Sequence, residues 1–301
     1  VLDCGIGSFQ GIKKAADFGF DIMVIDHHEI LGRLPEPALI IDPKQPKDKY
    51  VFKKFANVSL TYKLSEVILQ KKMTTAIQNS FFELAALGTI ADMMPEEDYN
   101  KKVIEGGVSC IKQTFRPGLI AMLDFLAEQE KATENARAIF SEMVSILNIT
   151  ELKNSFTESY ILFKEKSLSQ AKKMVRMLWE ESQKRQMRIQ EISQQVILQD
   201  NQGEKIVFAG SELWEQVLTG PVASRVCNKV KKPTFIFKIG KEKCRGSLRM
   251  PDKRNGVKAL ASCQGFLEVF GGHPPAAGFT ASKEKIGQLK NCLEKHFENN
   301  F

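Results

Sequence analysis

The chain has 301 residues, 43% of them hydrophobic, with 43 Lys and Arg against 36 Asp and Glu and a formal net charge of +7. That length exceeds what one core usually sustains, so two domains are expected. No apolar run is long enough to span a bilayer, which excludes a helical membrane protein, while the surplus of positive charge favours a polyanionic partner.

Leu2-Asp3-Cys4-Gly5 has the form of a strand ending in an acid and a turn glycine, ahead of a helix from about Ser8 to Phe18. A second strand, Ile22 to Ile25, runs directly into Asp26-His27-His28, and a third apolar run, Ala38 to Ile41, is closed by Asp42-Pro43. After a polar loop, Lys44 to Lys54, apolar residues recur at helical spacing over Val58 to Gln70 and Asn79 to Met94. The second of these helices carries Asp92 near its end, where Pro95 breaks it. Lys101 to Asn154 is helical in character, and Ser167 to Gln199 is the longest helical stretch without Gly or Pro. Beyond it the pattern gives strand Ile206 to Ala209, helix Glu215 to Val230, and strands Thr234 to Ile239 and Cys244 to Arg249.

Asp26-His27-His28 offers one carboxylate and two imidazoles at the carboxyl end of a strand, hard oxygen and borderline nitrogen donors for a divalent cation. Neighbouring side chains on an extended strand point opposite ways, so both rings serve one site only if the backbone turns. Three residues alone arise by chance. Asp92 adds a lone carboxylate in an apolar stretch. Ser247 and Arg249 alternate on one strand face, a hydroxyl and a guanidinium able to hold one phosphate together, although such a pair is also an ordinary surface feature. Gly271-Gly272 precede His273 and permit close backbone approach. Lys172, Lys173, Arg176, Lys184, Arg185 and Arg188 on the long helix are candidate phosphate contacts, with a solvated face as the plainer reading.

Taken together, Asp3-Cys-Gly, the Asp-His-His triplet, Gly88-Thr-Ile-Ala-Asp92, Ser247-Leu-Arg249 and Gly271-Gly-His273 resemble the motifs of the DHH phosphodiesterase superfamily, and within it the RecJ-like single-strand nucleases. The resemblance implies a parallel-sheet α/β catalytic domain of the DHH type over 1–165, a connecting helix over 166–200, and a smaller α/β DHHA1 substrate-binding domain over 201–301. It implies two divalent ions, Mn²⁺ or Mg²⁺, with Asp3 bridging them and His27 and Asp92 completing one. Asp26 would orient its neighbours and His28 would contact the scissile phosphate. Ser247, Arg249, Gly271, Gly272 and His273 would hold the nucleotide end. The implied activity is 5′-to-3′ exonuclease action on single-stranded DNA or short oligonucleotides, in DNA repair and recombination, with replication or repair proteins as further partners and no membrane association.

Arg116-Pro-Gly-Leu119 and Val222-Ala-Ser-Arg225 also resemble segments of that group. Leu147 to Asn154 departs from it, lacking a glycine and an arginine that face substrate there, and Glu215, Val217 and Pro221 depart as well. Relatives have an upstream strand ending in Asp-x-Asp, so the chain is expected to be an amino-terminally incomplete piece of a longer protein, with its ligand set and activity correspondingly reduced. Six scattered cysteines without a CxxC pair suggest reduced thiols in a cytoplasm. Other readings are an oligoribonuclease, a cyclic-dinucleotide phosphodiesterase, or a non-hydrolytic nucleic-acid-binding scaffold of the replisome. Family II pyrophosphatases share the Asp-His-His half but lack the Gly-Gly-His lobe.

Overall fold

Short apolar runs followed by an acid dictate how the first part of the chain is laid out. In the computed structural model, β1 (Met23–Ile25) and β2 (Leu39–Ile41) pair in parallel, with Val24 opposite Ile40, and Leu2 bridges Ile25 in parallel on the far side of β1. Asp3, Asp26 and Asp42 therefore all leave the same, carboxyl edge of the sheet. Parallel pairing needs a crossover, and α1 (Phe9–Asp17) provides the one between Leu2 and β1. All residues are described except 31, 130–135, 149–151, 154–155, 202, 252–253 and 300–301, so half of the Leu147 to Asn154 departure falls outside the described residues.

The chain divides into two units, Val1–Gln183 and Lys184–Phe301. In the first, α2 (Asn57–Leu69) and α3 (Thr75–Ala91) follow the sheet, α3 opening on Thr74, whose hydroxyl accepts the Ile77 N–H. Next come α4 (Asp98–Cys110) and α5 (Pro117–Glu128), the latter begun by a proline at a position where a missing N–H costs nothing. Further on are α6 (Ala136–Leu147), the short hairpin β3 (Leu152–Lys153) and β4 (Phe156–Thr157), and α7 (Glu158–Lys164). Met122, Leu126, Phe140, Met143 and Leu162 are fully buried at the centre of this core. Beneath the carboxyl edge of the sheet, Ile25, Phe55 and Leu60 form a smaller cluster.

Helix α8 (Leu168–Gln199) gives Ala171, Val175 and Leu178 to the first core and Ile189, Ile192 and Val196 to a core of the second unit. Two of its methionines, Met177 and Met187, point to solvent instead. Three of its basic residues are engaged by acids of the chain itself: Lys172 with Asp124, Arg176 with Glu128, and Arg188 with Glu191. For these three the plainer reading of a solvated, ion-paired face is favoured.

The second unit is built on a five-stranded sheet of order β5-β6-β7-β9-β8: β5 (Val207–Ser211), β6 (Thr234–Ile239), β7 (Lys243–Arg249), β8 (Val269–His273) and β9 (Ala276–Ser282). Only β5 and β6 are parallel. Alternation along β6 sorts its residues: Phe235 and Phe237 enter the core that includes residues of α10 (Gly256–Ser262) and α11 (Ile286–Asn299), whereas Ile236 enters the core made with α8 and α9 (Thr219–Val230). Cys263 and Cys292 form a disulfide, correcting the expectation that all thiols are reduced. Its partners stand 29 residues apart, and only the packing of α10 against α11 brings them together, so spacing carries no trace of the pair.

Candidate metal and phosphate sites

Asp26 is fully buried and its carboxylate accepts four hydrogen bonds. Oδ2 accepts from the Ile6 N–H at 3.0 Å, and Oδ1 accepts from the N–H groups of His27 (2.8 Å) and His28 (3.2 Å) and from His28 Nδ1 (2.7 Å). Burial alone would raise its pKa, but the His28 ring and three backbone donors together hold it far below the usual carboxylate range. With three donors on Oδ1 and one on Oδ2, this carboxylate orients the residues around it. It also supplies the required turn: the His27 and His28 rings lie side by side, their centroids 4.7 Å apart. With Nδ1 donating to Asp26, His28 turns Nε2 the opposite way.

His27 shows what the edge is built to hold. Its Nδ1 lies 2.7 Å from the Phe55 carbonyl, which can only accept, so Nδ1 carries the proton. Nε2 lies 3.2 Å from Asp3 Oδ1 and 3.6 Å from Asp92 Oδ2. A neutral imidazole would face two carboxylates lone pair to lone pair, which is stable only with a proton or a metal cation at that point. Burial would lower the His27 pKa, yet the hydrogen bond to Asp3 and the charges of Asp92 and Asp3 raise it above the ordinary imidazole value. Asp92 is pushed up by its own burial, against the pull of His27. It caps the carboxyl end of α3, where the helix dipole already disfavours an anion, so a cation beside it relieves both. One nitrogen and two carboxylate oxygens, with the histidine's other N–H donated to a carbonyl, fit a divalent metal.

Two further residues shape this edge, and the sequence had assigned neither a role in the site. Asn57, nearly buried at the start of α2, accepts the Asp3 N–H and donates to the Ile25 carbonyl, both at 2.9 Å. It thereby fixes Asp3, whose φ of 58° lies in the left-handed region. Asp42, 1% exposed at the end of β2, accepts from the Lys44 N–H through Oδ1 while Oδ2 has no hydrogen-bond partner among the described residues, and burial raises its pKa.

In the second unit, register places the expected substrate residues on one sheet face. Arg249 is opposite Ala276, which is opposite His273; Ser247 is opposite Gly278, which is opposite Gly271. Directly paired residues project to the same side, so Ser247, Arg249, Gly271 and His273 share it. Arg249 Nε donates to Ser224 Oγ at 2.9 Å and Nη1 to the Leu248 carbonyl at 2.9 Å, and Ser247 Oγ lies 3.0 Å from Thr219 Oγ1. Burial draws the Arg249 pKa down without threatening its charge. Gly220, in the first turn of α9, leaves the room they occupy: a Cβ there would stand 3.2 Å from Arg249 Nη2. Gly272 has φ of 138°, and a Cβ would meet the Ala276 carbonyl at 2.5 Å, so only glycine fits. A guanidinium, two hydroxyls and a helix amino terminus on one face make an anion site. The sequence drew notice to Val222-Ala-Ser-Arg225 but assigned no role to Thr219, Gly220 or Ser224.

Residues 1–89 match the model of the DHH family, N-terminal domain, and residues 203–299 match the DHHA1 domain. The chain is 28% identical over 305 residues to the single-stranded-DNA-specific exonuclease RecJ of Bacillus subtilis, covering 99% of the chain and 38% of that protein. It is 25% identical to RecJ of Escherichia coli, covering 95% of the chain and 53% of that protein. The chain thus spans about half or less of these relatives' lengths. Among solved structures, RecJ of Thermus thermophilus in complex with Mn²⁺ superposes with a TM-score of 0.83 at 23% identity, over 99% of this chain and 44% of that one. The same protein in complex with Mg²⁺ gives 0.74 at 19% identity, over 98% of this chain and 47% of that one.

Proposed function

Because the chain belongs to the DHH family, with the DHHA1 domain following the DHH amino-terminal domain, we propose that it works as a metal-dependent phosphodiesterase removing nucleotides from single-stranded DNA in the 5′-to-3′ direction. The observation that carries this reading is His27 Nε2 set between the carboxylates of Asp3 and Asp92. A bound Mn²⁺ or Mg²⁺ would polarise a phosphate oxygen and ease deprotonation of an attacking water. Asp3, His27 and Asp92 would hold it, with the Phe55 carbonyl keeping His27 in the ligating tautomer. Asp26 fixes His28 so that Nε2 is presented to the scissile phosphate, where a donor stabilises the charge that develops as the bond breaks. Arg249 and Ser247 hold a phosphate of the nucleotide end. The curated RecJ relatives favour this reading over a dinucleotide phosphodiesterase or a replisome scaffold. A cytoplasmic setting in DNA repair and recombination, beside replication or repair proteins, belongs to the same proposal.

A single strand labelled at its 5′ end should release labelled mononucleotide first in Mn²⁺, with blunt duplex untouched. Release from the 3′ end, or equal attack on duplex, would overturn the proposal. Arg249→Ala should weaken single-strand binding about tenfold or more, since a charge-assisted contact is worth roughly 1.5–3 kcal/mol, and should leave Mn²⁺ affinity unchanged. Fluorescence anisotropy at fixed salt, with calorimetry for the metal, checks both halves.

A further inference from the structure

Helix α2 has a feature that the metal site does not explain. Leu60, Lys63, Leu64 and Val67 recur at three- and four-residue spacing and so share one helix face, and all four line a cavity of about 380 Å³ beside the end of β2. That volume lies within the roughly 300–1,000 Å³ of small-ligand pockets. Ile40, Tyr50 and Phe55 complete its apolar wall. A lysine in the middle of an otherwise apolar stripe is the first sign of a ligand. Lys63 Nζ stands over the rings of Tyr99 at 4.3 Å, Tyr50 at 5.4 Å and Phe55 at 6.0 Å. Among the described residues it has no carboxylate partner, unlike Lys53, which is paired with Asp48 at 3.1 Å. Ring faces attract an ammonium without neutralising it, so its remaining donors stay available to an anion.

Asp42, also in the lining, has the opposite need. With Oδ1 taken by the Lys44 N–H, its buried Oδ2 has no hydrogen-bond partner among the described residues. A buried acceptor left so is costly, and a ligand N–H relieves it. Gln45 and Asp48 of the same lining are already committed: Gln45 Nε2 donates to the Ile40 carbonyl at 3.2 Å, and Asp48 accepts the Tyr50 N–H at 2.8 Å as well as Lys53. Tyr50 and Val67, both exposed, mark the mouth, and buried Asp42 marks the inner end. A cation among aromatic rings, an apolar wall and a lone inner acceptor together match a flat ring that carries an amino group at one end and an anion at the other. Phe55 has its ring in this wall and its carbonyl on His27, so the pocket adjoins the metal edge without sharing a ligand with it.

We propose that this pocket binds a free nucleoside 5′-monophosphate with an amino-bearing base, the phosphate paired with Lys63, the base against the apolar wall and its exocyclic amino group donating to Asp42 Oδ2. The site does not rest on the nuclease reading, although that reaction would release such a molecule.

Equilibrium dialysis of the whole chain with deoxyadenosine 5′-monophosphate tests this, in EDTA and in an Arg249→Ala background so that neither the metal edge nor the Ser247–Arg249 site contributes. One molecule should bind per chain, about tenfold more tightly than thymidine 5′-monophosphate, whose base offers a carbonyl where adenine offers an amino group. Lys63→Met, which keeps the stripe apolar, should lower that affinity about tenfold or more and leave Mn²⁺ affinity unchanged when EDTA is omitted. Asp42→Asn retains Oδ1 for Lys44 and turns the lone acceptor into a donor, so the preference should reverse in favour of thymidine monophosphate. A merely structural role for either residue would change stability without reversing a preference. No saturable binding at millimolar ligand, or binding that both substitutions leave unchanged, would overturn the site, and the nuclease reading would stand on its own tests with Mn²⁺ and single strands. Equal affinity for the two monophosphates that Asp42→Asn does not alter would also overturn it, because the pocket would then read no amino group.

Discussion

Replacing His28 by alanine should lower turnover of single-stranded DNA about 10²- to 10³-fold while leaving strand affinity and Mn²⁺ affinity nearly unchanged. The asymmetry follows from the way His28 is held. Nδ1 is committed to Asp26 at 2.7 Å, so the ring is fixed with Nε2 on its opposite side. A pre-oriented donor aimed at developing charge acts mainly in the transition state, and its loss appears in kcat rather than in binding. Single-turnover hydrolysis under saturating enzyme, set beside anisotropy, separates the two. Equal losses in both would make His28 a binding residue and move the proposed role elsewhere.

Asp26→Ala should destabilise the fold by about 3–5 kcal/mol, the order expected when a buried charge network loses its acceptor. Three backbone N–H groups and the His28 ring would lose their common partner, a carboxylate that is itself fully buried. The same carboxylate makes stability depend on acid. Its folded pKa is depressed, so its contribution is complete above the unfolded carboxylate value and is lost as pH falls below that value toward the lowered folded one. Urea unfolding at neutral pH should therefore show the full difference between wild type and Asp26→Ala, and the gap should narrow in strong acid. A gap independent of pH would mean that packing, not charge, accounts for the cost.

How far these features can be read from sequence depends on whether they are local. The strand before Asp26-His27-His28 is legible because an apolar run ends abruptly in polar residues, and β6 is legible from its own alternation. Strands β8 and β9 are not, because Gly271-Gly-His-Pro-Pro-Ala-Ala-Gly278 is dense in turn-forming residues and only its partner strand β7 makes it a sheet. Helix α3 begins at Thr75, earlier than the apolar pattern indicates, since its first turn is polar and rests on the Thr74 cap. The contacts of Asn57 with Asp3 and of Thr219 with Ser247 join residues distant in sequence, and nothing in either neighbourhood announces them. Asp3, His27 and Asp92 could be named together only by resemblance. What the structure adds is their electrostatic problem, two carboxylates around a nitrogen lone pair.

That problem leads to the most direct measurement, the protons released when Mn²⁺ binds. His27 has a pKa raised above 6.5, so near that pH the site holds a proton where the ion must go. Calorimetry in buffers of different ionisation enthalpy should find net proton release on Mn²⁺ binding near pH 6.5, with release fading as pH rises and apparent affinity falling as pH drops. In His27→Gln the release should disappear and the affinity should collapse. Mn²⁺ binding that releases no proton, and that His27→Gln leaves intact, would contradict a cation site formed by Asp3, His27 and Asp92.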